Sequence, residues 1–207
     1  MGKTVLMVEG KDDEHVVKHV CGARGLGNID SIKEYGGKDQ LLESISLRLK
    51  ESDVASLGIL MDADTNVLSR WDAIRYRLAE AGYQNVPKHP DAAGTVIEAN
   101  PDNLLPRVGV WLMPDNKLTG ILEDFLAFLV PNGDGLFNHV IASMHGIPGG
   151  LKRFDDLSAA KAKIHTWLAW QADPGRPLGQ AISLRYLDAK LPTADDFSGW
   201  LSRTFFA

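Results

Sequence analysis

The residues best suited to chemistry are Asp62 and Asp64, inside the stretch Ser56–Asn66, SLGILMDADTN. The apolar run Leu57-Gly58-Ile59-Leu60-Met61 stops abruptly at Asp62-Ala63-Asp64. A short apolar run of this kind reads as a buried strand of a parallel sheet. Its C-terminal end is where open α/β sheets hold their ligands. On an extended strand, alternate residues point to the same side, so both carboxylates should face one space. Carboxylates that close repel each other unless a cation stands between them or one is protonated. The cation suited to hard oxygen donors is Mg2+ or Mn2+. The competing use is local: Asp62 starts a turn and Asp64 caps a helix beginning near Val67.

Other acids fall at comparable places. The β-branched run Thr4–Val8 reads as a strand that ends in Glu9-Gly10. A helical pattern follows through Val16, Val17 and Val20, with Asp12 as N-cap and Asp13 and Glu14 at its positive end. Val108–Met113 reads as a strand ending in Pro114-Asp115-Asn116. Asp115 either joins the acidic rim or closes a Pro-Asp-Asn turn. Glu123 and Asp124 lie on the apolar helix expected over Gly120–Val130, as a solvated edge or as part of an acidic site. Lys161 and Lys163 precede the apolar positions of a helix over Ser158–Gln171; they are surface lysines or, if they reach the acids, hold a phosphate. His15 and His19 share a helix face, but no HExxH pattern accompanies them. Gly2-Lys3-Thr4 precedes its strand and lacks the upstream glycine of a phosphate loop, so it is set aside.

These residues need a scaffold, and the chain supplies one. Further strands are expected at Ile29–Tyr35 and Thr95–Ala99, with helices at Lys38–Lys50 and Val67–Ala81. The order βαβαβα predicts an α/β fold with a mostly parallel central sheet. Residues 1–116 form that core, and 117–207 a helical extension packed on it. The extension holds helices over Leu136–His145, Leu178–Leu187 and Phe197–Phe206. Trp200, Leu201, Phe205 and Phe206 make the last one too apolar for a free tail; it docks on the core or forms a homodimer contact.

Composition narrows the function classes. A net charge of −5 gives no global attraction to nucleic acid, so such a role requires a local basic patch or a metal-mediated phosphate contact. A single cysteine, Cys21, excludes an intrachain disulfide and fits a reducing cytoplasm. No signal peptide or long apolar run is visible, so a soluble cytoplasmic protein with no membrane partner is expected.

A buried strand ending in Glu-Gly, followed by a strand ending in Asp-x-Asp, resembles the Toprim domain. The resemblance rests on VLMVEGKDD and GILMDADTN and covers residues 3 to about 115. Toprim domains occur in type IA topoisomerases, DnaG-type primases, the ribonuclease that matures 5S ribosomal RNA and the overcoming-lysogenization-defect nucleases. MPDNKLTGILEDF and KAKIHTWLAWQ look like a small bacterial Toprim-like family related to the last two. The resemblance implies that Glu9 is the general acid or base, and that Asp62 and Asp64 hold Mg2+ or Mn2+ against a phosphodiester. Asp115 or Glu123 would complete the site, and Lys161 or Lys163 would assist. The chain lacks a topoisomerase-type tyrosine module, a primase zinc ribbon and an ATPase motif, so any ATPase would be a separate partner subunit. Metal-dependent hydrolysis of nucleic acid is the resulting expectation. One alternative is a non-enzymatic subunit that binds metal or a partner. Another is a haloacid-dehalogenase-like phosphatase, whose pattern wants Thr or Val at position 66, where Asn66 stands.

Overall fold

The apolar runs of the N-terminal half pair into one sheet in the computed structural model, which describes residues 2–99 and 104–207. Its strands are β1 (Lys3–Val8), β2 (Ser31–Glu34), β3 (Val54–Asp62), β4 (Thr95–Ile97) and β5 (Arg107–Met113). Their order is β2-β1-β3-β5-β4. All neighbours are parallel except β4, which runs antiparallel to β5 and closes that edge. Strands covered on both faces read as continuous apolar runs, and β1, β3 and β5 do so. Leu6, Val8, Leu60 and Trp111 bury on one face; Val5, Met7, Ile59 and Val110 bury on the other.

The helices divide between these faces. The second face packs against α2 (Lys38–Arg48) and α3 (Val67–Ala81), through Leu41, Ile45, Trp71 and Ile74. The first packs against α1 (Lys11–Arg24), α4 (Leu122–Phe128), α7 (Leu178–Ser183) and α8 (Asp195–Phe205). Helices α5 (Gly135–His145) and α6 (Ala159–Ala169) pack on each other, and α6 packs on α4. A short 3₁₀ turn, Pro192–Ala194, leads into α8.

Several expected boundaries move for local reasons. Helix α1 opens at Lys11 after Gly10, so Asp12 is not its cap; the Asp13 carboxylate accepts the Gly10 N–H at 2.9 Å instead. Helix α4 opens at Leu122, because Asp124 accepts the Ile121 N–H and fixes the first turn there. Strand β2 starts only at Ser31, since the Asp30 carboxylate takes the Thr4 N–H at 2.8 Å.

The C-terminal helix docks on the core. Gly58 and Gly109 are paired across β3 and β5 and leave a flat seat. A Cβ at Gly58 would lie 2.4 Å from Phe205, and one at Gly109 would lie 2.1 Å from Thr204. Helix α8 therefore approaches the sheet closer than any larger residue permits, and Trp200, Leu201 and Phe205 are buried there. Among the described residues no helix is long and apolar enough to cross a membrane.

The connections define one crevice. From β1 the chain leaves through α1 to β2, at the sheet edge. From β2 it returns through α2, on the opposite face, to β3 on the other side of β1. Strands β1 and β3 are thus neighbours whose onward connections part, and the opening beyond their C-terminal ends is the topological switch point. Glu9 follows β1 and Asp62 ends β3.

Candidate acidic site at the switch point

Glu9 and Asp62 meet across this crevice. The Glu9 Oε1 accepts the Asp62 backbone N–H at 2.9 Å. The Asp62 side chain points to the face of α1 and α4, where its Oδ1 accepts the N–H of Leu122 at 3.0 Å. Leu122 is the first residue of α4, so the carboxylate sits at a helix N-terminus, which favours negative charge. Asp13 and Glu123 are buried nearby, at 9% and 4% exposure.

Burial dominates the electrostatics of this group. It pushes the Asp62 carboxyl up to about 9, and the charges of Asp13, Glu9, Glu123 and Asp64 push the same way. Burial also raises Asp13 to about 7, against the Gly10 N–H, which favours its charged form. Glu9 is raised by burial as well, partly opposed by the Asp62 N–H and by the Arg70 and Lys38 charges. Glu9, Asp13 and Asp62 resist being charged together, because each loses water and gains a like-charged neighbour.

Asp64 has a different environment, and here the extended-strand expectation fails. Its φ is +52°, so the chain has left strand geometry before the second acid. An antiparallel bridge to Gly120 holds the turn, with Asp64 N–H to Gly120 O at 2.9 Å and Gly120 N–H to Asp64 O at 2.8 Å. Gly120 is itself at φ +148°, and a Cβ there would lie 2.6 Å from the Asp124 carboxylate. The two acids of the Asp-x-Asp therefore take partners from opposite faces of the sheet. Asp64 Oδ2 accepts from the Arg70 guanidinium of α3 and from Lys38 Nζ of α2, the latter at 3.2 Å. Arg70 also donates from Nε to the Asp62 carbonyl at 3.0 Å, which clamps the whole Asp-Ala-Asp turn. Asp64 does not cap α3; Asn66 does, accepting the Ser69 N–H at 2.9 Å.

The remaining candidates separate. Asp115 Oδ1 accepts the N–H groups of Lys117 and Leu118 at 3.1 and 2.8 Å, closing a turn after β5. Glu123, not Asp115, stands in the field of Asp62. Lys161 reaches the acids: its Nζ lies 3.5 Å from Glu123 Oε1, with His165 Nε2 at 3.8 Å from the same oxygen. Lys163 instead lies 5.7 Å from the centre of the Phe137 ring and lines a neighbouring cleft. His19 is used elsewhere, with Nδ1 2.6 Å from Ser183 Oγ.

That cleft, about 1200 Å3, starts at Asp64 and Arg70 and runs to α5, α6 and the segment between them. Lys38, Lys152 and Lys163 line it together with Ile121, Met144 and Phe154.

Among the described residues no three His, Cys, Asp or Glu side chains converge closely enough to cage a metal ion. Mg2+ is usually held otherwise, by one or two carboxylates, retained waters and substrate phosphate. Asp62 with Glu9 and Glu123 beside it suits that second arrangement. All are hard oxygen donors, and a cation among them would offset the burial and like charge that raise the Asp62 carboxyl.

Asp13, Arg70 and Lys38 belong to the site but were not singled out as site residues from the sequence. Asp13 looks like any acid in a first helical turn, and its signal is the spacing from Glu9. Arg70 and Lys38 look like surface cations; only the turn at Asp64 brings them together.

No curated protein and no solved structure matches the chain. The model of the family described as protein of unknown function, DUF3226, matches residues 3–206, so the chain belongs to that family.

Proposed function

We propose that this chain is a Toprim-type nuclease, hydrolysing phosphodiesters of nucleic acid with Mg2+ or Mn2+. The observation that carries the reading is the Glu9–Asp62 pairing at the switch point, amid buried carboxylates. Asp62 is the primary ligand of the ion, and Asp64 is the second carboxylate of the motif. When bound, the ion polarises a phosphoryl oxygen, lowers the pKa of water and neutralises developing charge. Glu9 carries the proton: burial raises its carboxyl above the ordinary glutamate range, the direction that suits a general acid or base. Arg70 holds the Asp-Ala-Asp turn in place and, with Lys38, offers positive charge to a phosphate. Lys161 balances Glu123 at the edge of the acid group.

The test is cleavage of labelled DNA and RNA with Mg2+ or Mn2+, by the parent chain and by Glu9→Gln. General acid–base help is worth ~10²–10⁴-fold, so Glu9→Gln is expected to cut at least ~100-fold more slowly. A Glu9→Gln chain that cuts as fast as the parent leaves Glu9 as a strand-end acid only.

One observation favours a second reading, a non-enzymatic subunit that binds metal, or a partner such as a separate ATPase. Asp64 is already neutralised by Arg70 and Lys38, which a structural ion pair explains equally well. Absence of cleavage of any nucleic acid, with Mn2+ binding retained, selects that reading. A phosphatase using Asp62 as nucleophile is disfavoured, because Asn66 stands where its pattern wants Thr or Val and another strand followed by an acid, β1 with Glu9, precedes.

A further inference from the structure

The cleft beside Asp64 has a composition that neither the acid group nor the core explains. Four of its lining side chains are Lys or Arg (Lys38, Arg70, Lys152 and Lys163), against three Asp, in a chain whose net charge is −5. Its other wall is apolar and includes Ile121, Ile141, Met144, Phe154 and Leu157. Leu157 is 66% exposed, an apolar side chain left open to water at the cleft. Cation and aromatic meet at the opening, where Lys152 Nζ lies 5.1 Å from the centre of the Phe154 ring and 2.9 Å from Asp156 Oδ1. Lys163 Nζ, also in the lining, lies 5.7 Å from the centre of the Phe137 ring behind it.

Such a surface asks for a ligand with two kinds of group, repeated anions and flat apolar faces. A nucleic-acid single strand has both, and exposed bases stack on aromatic and apolar side chains while the cations track the backbone. A duplex hides its base faces in the stack. The size also discriminates. A cleft of about 1200 Å3 is only somewhat larger than ligand pockets of roughly 300–1,000 Å3, room for a few unstacked nucleotides. The cationic end of the cleft is Arg70 and Lys38, both bonded to Asp64, so a strand lying in it leads its phosphates to the rim.

We propose that the cleft between the Asp64 turn and helices α5 and α6 binds single-stranded nucleic acid and delivers it to the acidic rim. This rests on the nucleic-acid side of the reading above and adds the form of the substrate. Phe154 supplies a stacking face, and Lys152 and Lys163 hold backbone phosphates.

The experiment is fluorescence anisotropy in EDTA, where no cleavage occurs. The probe is a short labelled single strand, compared with the same strand in duplex. The parent chain is expected to bind the single strand at least ~10-fold more tightly. Phe154→Ala and Lys152→Glu are each expected to weaken it by ~10-fold, in line with the loss of one stacked base or one phosphate contact. Thermal unfolding of each variant checks that it is folded; Lys152→Gln, milder at an exposed site, serves if Lys152→Glu is not. Equal affinity for the duplex overturns the proposal, as does unchanged binding in folded variants. Displacement of the strand by an equal concentration of thymidine monophosphate also overturns it, by assigning the cleft to a mononucleotide. The two readings fail separately. Cleft-dependent strand binding without metal-dependent cleavage removes the hydrolytic reading and keeps this one; cleavage unaffected by either variant does the reverse.

Discussion

Asp62 and Asp64 stand one residue apart and live in opposite environments. Asp62 faces α1 and α4, with Glu9, Asp13 and Glu123 as company and, among the described residues, no cation bonded to its carboxylate. Asp64 faces α2 and α3, with Arg70 and Lys38 on one oxygen. Burial and like charge push the first far above the ordinary carboxylate range. The difference follows from one backbone event, the positive φ at Asp64. It teaches that a motif spacing fixes which residues are near, while the turn between them decides which charge each meets. An acid left without a cation is the one with most to gain from a metal ion.

The strongest way to break this comparison is to swap the carboxylates for amides in turn. Asp62→Asn is expected to lose metal-dependent cleavage by ~10³-fold or more, since it removes the primary ligand. Asp64→Asn is expected to lose about tenfold, because Arg70 still holds the turn through the Asp62 carbonyl. Equal losses measured on one substrate would erase the distinction.

A pH series sharpens it. The Asp62 carboxyl is raised from 3.8 to about 9, so the folded chain binds the extra proton between those values. Stability of the metal-free protein therefore falls as pH rises through that window, by up to about 1.4 kcal/mol per pH unit for one proton. Asp13, raised to about 7, adds to the fall below that pH. Urea melts at several pH values in EDTA should show this slope, and Asp62→Asn should flatten it while raising stability near pH 8. An unchanged slope in Asp62→Asn assigns the proton elsewhere.

Arg70→Ala tests the other side. It removes one guanidinium that is 11% exposed and bonded to both Asp62 O and Asp64 Oδ2. Loss of hydrogen bonds to a charged partner costs about 1.5–3 kcal/mol, read as a lower urea midpoint with unchanged slope. The smallest effect is expected at Asp115. Asp115→Ala opens a surface turn, costs about 0.5–1.5 kcal/mol and leaves Mn2+ affinity unchanged. A large loss of affinity there would bring Asp115 into the site.

Much of this was legible in the chain. The apolar runs ending in Glu9 and Asp62 marked strand ends on one rim of a parallel sheet, since strands covered on both faces read as continuous apolar runs; that the two strands are neighbours was not legible. Tail docking was legible from Trp200, Leu201 and Phe205. What escaped was set by turns and by contacts distant in sequence. The positive φ of Asp64, the bridge to Gly120 and the capture of Asp64 by Lys38 and Arg70 have no periodic signature. The seat for α8 was invisible because Gly58 and Gly109 acquire meaning only when β3 pairs with β5. The antiparallel edge strand β4 was anticipated as a strand, without its direction.

The central claim is that the carboxylate group around Asp62 takes a divalent cation. Its most direct test is calorimetric titration of Mn2+ into the parent chain, Asp62→Asn and Glu9→Gln at pH 7, each in two buffers of different ionisation enthalpy. The account predicts weak binding by the parent, with release of close to one proton per ion, because a ligand carboxyl with a pKa of about 9 must ionise first. It predicts no measurable binding by Asp62→Asn and retained binding by Glu9→Gln. Mn2+ binding that is undiminished in Asp62→Asn would contradict the account.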